Sequence, residues 1–128
     1  DTRLEACTEL GRAIADAIIA CEERDPKFSG GRTLIVASSD MSHYVSSETA
    51  KSKDRKAIDK ILSLDAEGLY YTVRNEDISM CGYGPAVAML TACKIRGARK
   101  AELVKYATSG EVSGDYDQVV GYAGIVVF

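Results

Sequence analysis

Two segments of this chain carry almost no polar side. Ala86–Arg96 is a run of helical length, opened by Pro85 and followed by Gly97. Proline suits the first turn of a helix and glycine the residue past its end, so the run is bracketed as a helix. A helix that is apolar on nearly all sides has to be deeply buried. Val119–Phe128 is the second segment, a strand-like run interrupted by Gly121 and Gly124. Glycines inside such a run point to a bulge or to close approach of another backbone. Both segments need cover all round, yet 128 residues leave few other elements to supply it. The expectation is a single domain, residues 1–128, that either exposes a large apolar patch or has a close-packed neighbour.

Those other elements give an α/β pattern. Thr2 and Glu5 have the spacing of a capping box. Leu4, Cys7, Leu10, Ile14, Ile18 and Cys21 then recur at helical spacing, which predicts a helix ending between Cys21 and Arg24. A loop, Asp25–Gly31, leads to Thr33-Leu34-Ile35-Val36-Ala37, which reads as a buried strand. Ile58, Ile61 and Leu62 mark a helix starting near Asp54, and Asp65 reads as the cap of another carrying Leu69, Tyr70 and Val73. Ala101–Thr108 reads as β, and Glu111–Gln118 as a polar loop before the final strand. Tyr83, Tyr106 and Tyr122 are expected in the core or on a pocket wall. The fold class expected is a mixed sheet flanked by helices.

Charge and cysteine usage narrow the function classes. Lys and Arg number 16 against 19 Asp and Glu, a net charge of −3, and the basic residues are scattered. Nucleic-acid binding, which needs a basic footprint, is disfavoured. No apolar run approaches the roughly 20 residues of a membrane helix, and nothing near Asp1 resembles a signal peptide. A cytoplasmic protein is expected, and the start at Asp1 suggests a piece of a longer chain. The four cysteines, Cys7, Cys21, Cys81 and Cys93, form no C-x-x-C pair. Cys7, Cys21 and Cys93 read as small buried hydrophobes in a reducing compartment. No disulfide is expected: Cys7 and Cys21 lie about four helical turns apart, beyond the roughly 7 Å between Cα atoms that a bridge tolerates.

Candidate chemistry centres on Ser38-Ser39-Asp40-Met41-Ser42-His43-Tyr44, a polar cluster at the carboxyl end of the first predicted strand. Open α/β sheets place ligands at that edge. His43 is the only histidine, so any imidazole chemistry of this chain falls to it. Asp40, three residues earlier, can orient His43 or face the same substrate; equally, Asp40 can cap the next element while His43 merely packs. Cys81 precedes Gly82, Gly84 and Pro85 at a helix start. Backbone N–H groups there carry partial positive charge, which is expected to favour the thiolate as nucleophile or soft ligand. A thiol beside a tight turn is the plain alternative. A strand-end loop and a helix start meet at one edge of the sheet, so Cys81 and His43 are expected within about 10 Å. Ser109-Gly110-Glu111 and Ser113-Gly114-Asp115 resemble phosphate loops only loosely, lacking the P-loop lysine.

Taken together, the blocks SSDMSHY, ISMCGYGPA and YATSGEVSGDYDQVVGYAGIVVF, in that order, resemble the MEMO family across essentially the whole chain. The CGYGP and YATSGEVSGD blocks resemble its bacterial and archaeal branch. That family's fold is similar to that of class III (LigB-type) extradiol dioxygenases, non-haem iron enzymes that open catechol rings with O₂. The resemblance implies a shallow pocket in which Cys81 is the metal-ligand cysteine, His43 stands at the acid–base histidine's place and Asp40 lines the same pocket. It also implies that two metal-type histidines belong to an N-terminal half absent here. This chain then corresponds to the C-terminal half of the fold, with the missing half as its partner. Iron or copper is implied for the full-length protein, and no firmly bound metal for this chain alone. Three activities follow as expectations: a metal-dependent redox or oxygenase-like site, a module binding a peptide or small anion, or a thiol hydrolase using Cys81, His43 and Asp40.

Overall fold

A computed structural model describes residues 1–28 and 33–128. Helix α1 spans Thr2–Arg24 and is followed by a single 3₁₀ turn, Pro26–Phe28. The expected loop Asp25–Gly31 lies partly outside the described residues. The cap of α1 is Asp1, whose Oδ1 accepts from the N–H groups of Arg3 (2.9 Å) and Leu4 (3.4 Å), so Thr2 is the first helical residue and not the cap. The buried face is also rotated from the predicted stripe. Leu4, Gly11, Ala15 and Ile18 are buried, whereas Leu10 and Cys21 are exposed. Small residues win because α1 packs tightly against a later helix: a Cβ on Gly11 would lie 2.5 Å from the Ala88 carbonyl oxygen.

Strand β1, His43–Val45, is short and was expected as loop. Helix α2 runs Ser47–Leu62 and starts well before Asp54. Ser46 caps it, its Oγ accepting from the Thr49 N–H at 3.1 Å. Its inward residues are Ser47, Ala50, Asp54, Ala57, Ile58 and Ile61. The first half of that face is small or polar, so the apolar period begins only where the helix is half complete. Helix α3, Ala66–Asn75, is capped by Asp65 as predicted, with a 2.8 Å bond from the Gly68 N–H to its Oδ1. Helix α4, Tyr83–Ile95, starts three residues earlier than Ala86, with Gly82 as its cap and Pro85 inside the first turn. Gly97 follows its end at φ 100°, a conformation that glycine adopts without strain.

Strand β2 covers Ala101–Thr108, a one-turn helix α5 covers Gly110–Ser113 within the predicted loop, and β3 covers Val119–Val127. The three strands form an antiparallel sheet in the order β1-β3-β2. The β2–β3 register shifts between Leu103↔Ile125 and Lys105↔Gly124, a bulge at one of the two glycines that suggested it. Helix α2 lies on the sheet, with α3, α4 and α1 stacked beyond it. The core between them includes Ile58, Leu69, Tyr70, Val87 and Leu90, all essentially inaccessible.

The sheet's other face is bare among the described residues. Val104 is 69 % exposed, and Tyr122, Val126 and Phe128 are about half exposed. Tyr122 is therefore neither core nor wall of an enclosed pocket. Thr33–Ala37 is not a buried strand here. Its exposure alternates from residue to residue, and Leu34 is 83 % and Val36 76 % exposed. Among the described residues, no backbone group of Leu34–Ser38 is hydrogen-bonded to another backbone group. An apolar run of this kind is buried only where a neighbouring strand covers it, and none of the strands of the described residues pairs with it. The segment is held at its ends instead. Arg96 Nη1 donates to the Thr33 carbonyl at 3.3 Å, and the Met41 N–H donates to Gly121 at 2.8 Å.

Candidate functional site

Asp40, His43 and Cys81 converge. One ligand-type atom from each lies within 4.8 Å of the others. Three different pieces of backbone deliver them: the extended segment leading into β1, β1 itself, and the turn before α4. Cys81 is exposed, while Asp40 and His43 are half-buried.

His43 is held from both ends of residue 79. The Ser79 Oγ accepts the His43 backbone N–H at 2.7 Å, and the Ser79 carbonyl lies 2.5 Å from His43 Nδ1. A carbonyl oxygen can only accept, so Nδ1 carries a hydrogen and donates it. That assigns the tautomer: in neutral imidazole the lone pair is on Nε2. Nε2 in turn lies 3.3 Å from Asp40 Oδ2. A lone pair facing a carboxylate is repulsive unless a cation stands between them. Either a proton on Nε2 or a metal ion beside it satisfies this geometry.

Ser39 ties the cysteine turn to the same place. Its Oγ accepts from the Gly82 N–H at 2.8 Å, donates to the Asp40 carbonyl at 2.6 Å and lies 3.7 Å from Cys81 Sγ. The approach is close enough that a Cβ on Gly82 would fall 2.6 Å from Ser39 Cβ. Position 82 therefore has to be glycine for the cysteine turn and the Asp40 segment to meet. The donor set is one carboxylate, one imidazole nitrogen and one thiol sulfur, a mixture suited to a borderline or soft transition metal rather than to calcium or magnesium.

An apolar cavity opens beside this cluster, with a volume of about 90 Å³. Ser39, Met41, Met80, Met89 and Ala123 are among the residues that line it. All three methionines of the chain are there. Thioether side chains adapt to irregular apolar guests.

The residues expected to meet do meet. Two that hold them were not foreseen: Ser79, which orients His43 chiefly through a backbone carbonyl, and Ser39, which locks the cysteine turn. A carbonyl leaves no residue-type signature in the sequence. Ser39 was visible as part of a polar cluster but carried no spacing that named its partner.

The family model for Memo-like proteins matches residues 5–126. A MEMO1 family protein of Methanosarcina mazei is 48 % identical over 123 residues, covering 96 % of this chain and 43 % of the relative. One from Methanopyrus kandleri is 47 % identical over 123 residues, covering 96 % and 41 %. A third, from Methanocaldococcus jannaschii, is 52 % identical over 96 residues, covering 75 % and 33 %. The chain thus spans about two-fifths of the length of the first two relatives. With the match running through nearly every described element, the chain belongs to the Memo-like protein family.

Proposed function

We propose that this chain supplies one wall of a metal-dependent redox or oxygenase-like site, similar to the pocket of class III extradiol dioxygenases. The observation that carries it is the meeting of one ligand-type atom each from Asp40, His43 and Cys81 within 4.8 Å, with His43 Nε2 facing the Asp40 carboxylate at 3.3 Å. His43, Cys81 and Asp40 would hold or flank the metal. When bound, an iron or copper ion would supply redox chemistry or bind an oxygen atom of a substrate. The chain's own residues do the rest. The Ser79 carbonyl takes the Nδ1 hydrogen and so leaves the Nε2 lone pair free for the metal, Asp40 stands beside that nitrogen, and Ser39 holds the turn that carries the thiol.

Further ligands would come from the rest of the longer polypeptide, whose N-terminal half would also pair with Leu34–Ser38 and cover the bare sheet face. Four free cysteines suit a reducing, cytoplasmic setting. Among the described residues no helix is long and apolar enough to cross a membrane.

A Cys-His-Asp hydrolase is a poorer fit. In a triad the acid holds one ring nitrogen and the nucleophile the other. Here Ser79 occupies Nδ1, and Asp40 contacts the Nε2 that would have to deprotonate Cys81.

Metal analysis of the full-length protein tests the proposal. Stoichiometric iron or copper, lost in Cys81→Ser and His43→Gln variants that still fold, is the expected result. Full-length protein that neither retains nor takes up a transition metal would overturn it.

A further inference from the structure

Asp54 is the only buried charged side chain among the described residues, and it is fully inaccessible. Helix α2 carries it to the sheet, where three donors converge on its carboxylate. Oδ1 accepts the Ser42 N–H at 2.9 Å and the Ser42 hydroxyl at 2.7 Å. Oδ2 accepts the Tyr106 hydroxyl at 2.5 Å. Gly121 makes room: a Cβ there would fall 2.1 Å from Asp54 Oδ2.

Burying a carboxylate costs several kcal/mol of desolvation, and well-packed apolar residues often stabilise a core at least as well. Three donors aimed at one carboxylate are therefore poor evidence of a purely stabilising role. What they do achieve is location. The N–H and hydroxyl of residue 42 are bound by Asp54, and its carbonyl accepts from the Gly121 N–H at 2.9 Å. The next residue is His43, whose own N–H and ring are bound by Ser79. A one-residue slip of an extended segment turns every side chain to the opposite face. With Ser42 bound at three points, the imidazole has one face to occupy.

We propose that Asp54 is a positioning residue for the Asp40–His43–Cys81 site, its buried carboxylate on α2 fixing Ser42 against Gly121 and so fixing where the imidazole of His43 lies. The inference rests on that cluster being a metal-type site, as set out above. An alanine removes both acceptors of Ser42, whereas an asparagine could keep its oxygen on Ser42 and donate its NH₂ group to the Tyr106 hydroxyl, which accepts as well as donates. Removing only the Tyr106 hydroxyl leaves both bonds to Ser42 in place.

The test uses the full-length protein and three variants, Asp54→Ala, Tyr106→Phe and Ser42→Ala. Two readouts are taken where each variant is folded by circular dichroism. One is the ¹⁵N–¹H signal of the His43 ring Nδ1–H in metal-free protein, assigned by its loss in His43→Gln. The other is cobalt(II) affinity by absorbance titration. Asp54→Ala is expected to lose the ring signal to solvent exchange and at least about tenfold in cobalt affinity, the size seen when a ligand's supporting partner is removed. Tyr106→Phe, which also loses a hydrogen bond to the same carboxylate, is expected to keep the signal and to stay within about threefold. If Asp54→Ala does not fold, Ser42→Ala decides: a weakened ring signal is expected, and an unchanged one overturns the proposal. A folded Asp54→Ala with wild-type signal and affinity overturns it. So do equal losses in Asp54→Ala and Tyr106→Phe, which would mark the carboxylate as a stability element alone. Should the unmodified protein bind no cobalt, the metal-site assignment fails, and the ring signal still decides the positioning role.

Discussion

The chemistry of single residues here is set by who faces them. Tyr106 is the sharpest case. Burial and the neighbouring Asp54 carboxylate both disfavour its phenolate, so its pKa is raised far above the ordinary value of about 10. A raised native pKa means that the contribution to stability is intact below the unfolded value and is lost as pH rises above it, because the unfolded chain releases the proton first. Stability should therefore fall above about pH 10 with a slope one proton steeper than in Tyr106→Phe. Urea unfolding of both proteins across that range measures the difference, and equal slopes would refute it. Cysteines offer a second contrast. Burial raises the Cys93 pKa, whereas Cys81 is exposed at the site. Iodoacetamide near pH 8 should label Cys81 well before Cys93, and peptide mass spectrometry reads the order. Reversal of that order would mean the cysteine turn is closed in solution.

Elements pack here through what is missing from them as much as through what they carry. Gly121 lets β3 pass over Asp54, and Gly11 lets α1 sit on α4. Gly121→Ala should cost about 3 kcal/mol, because neither the carboxylate nor Tyr106 can retreat without breaking buried bonds. Leu90→Ala, which empties a fully buried site in α4, should cost a similar 2–5 kcal/mol, roughly the range for buried leucines. Thermal or urea unfolding separates the two mechanisms. Only the Gly121 change should also disturb cobalt binding, since only it touches the Asp54–Ser42 contact. Helix α4 and β3 were legible because their apolar runs are continuous, β2 because it alternates in part, and Pro85, Gly97 and Ser109-Gly110 punctuate their ends. The start of α2 was hidden because Ser47, Ala50 and Asp54 face inward without an apolar signature. His43–Val45 was hidden because three residues make too short a strand to show a period.

On the scale of the molecule, helices cover one side of the sheet, and among the described residues the other side is open. Val104, Tyr122 and Val126 stand exposed on β2 and β3, and Leu34 and Val36 are exposed in the segment before β1. Hydrogen exchange gives a direct check. The amides of Leu34–Ser38, unbonded to other backbone among the described residues, should exchange at nearly unprotected rates in this chain and slow by about a hundredfold or more in the full-length protein. Equal rates in both would mean that this segment gains no strand partner from the remaining polypeptide. Sequence by itself determined the α/β class, the two all-apolar segments, the α3 cap and the residue types at the site, because these follow from local patterns of hydrophobicity, turns and caps. Only the tertiary structure decided that Ser79 orients His43, that Ser39 joins Asp40 to the cysteine turn, and that Asp54 lies beneath Ser42. Each of those contacts joins residues 12 to 43 positions apart through hydrogen bonds, and a hydrogen bond between distant segments leaves no periodicity for a sequence to reveal.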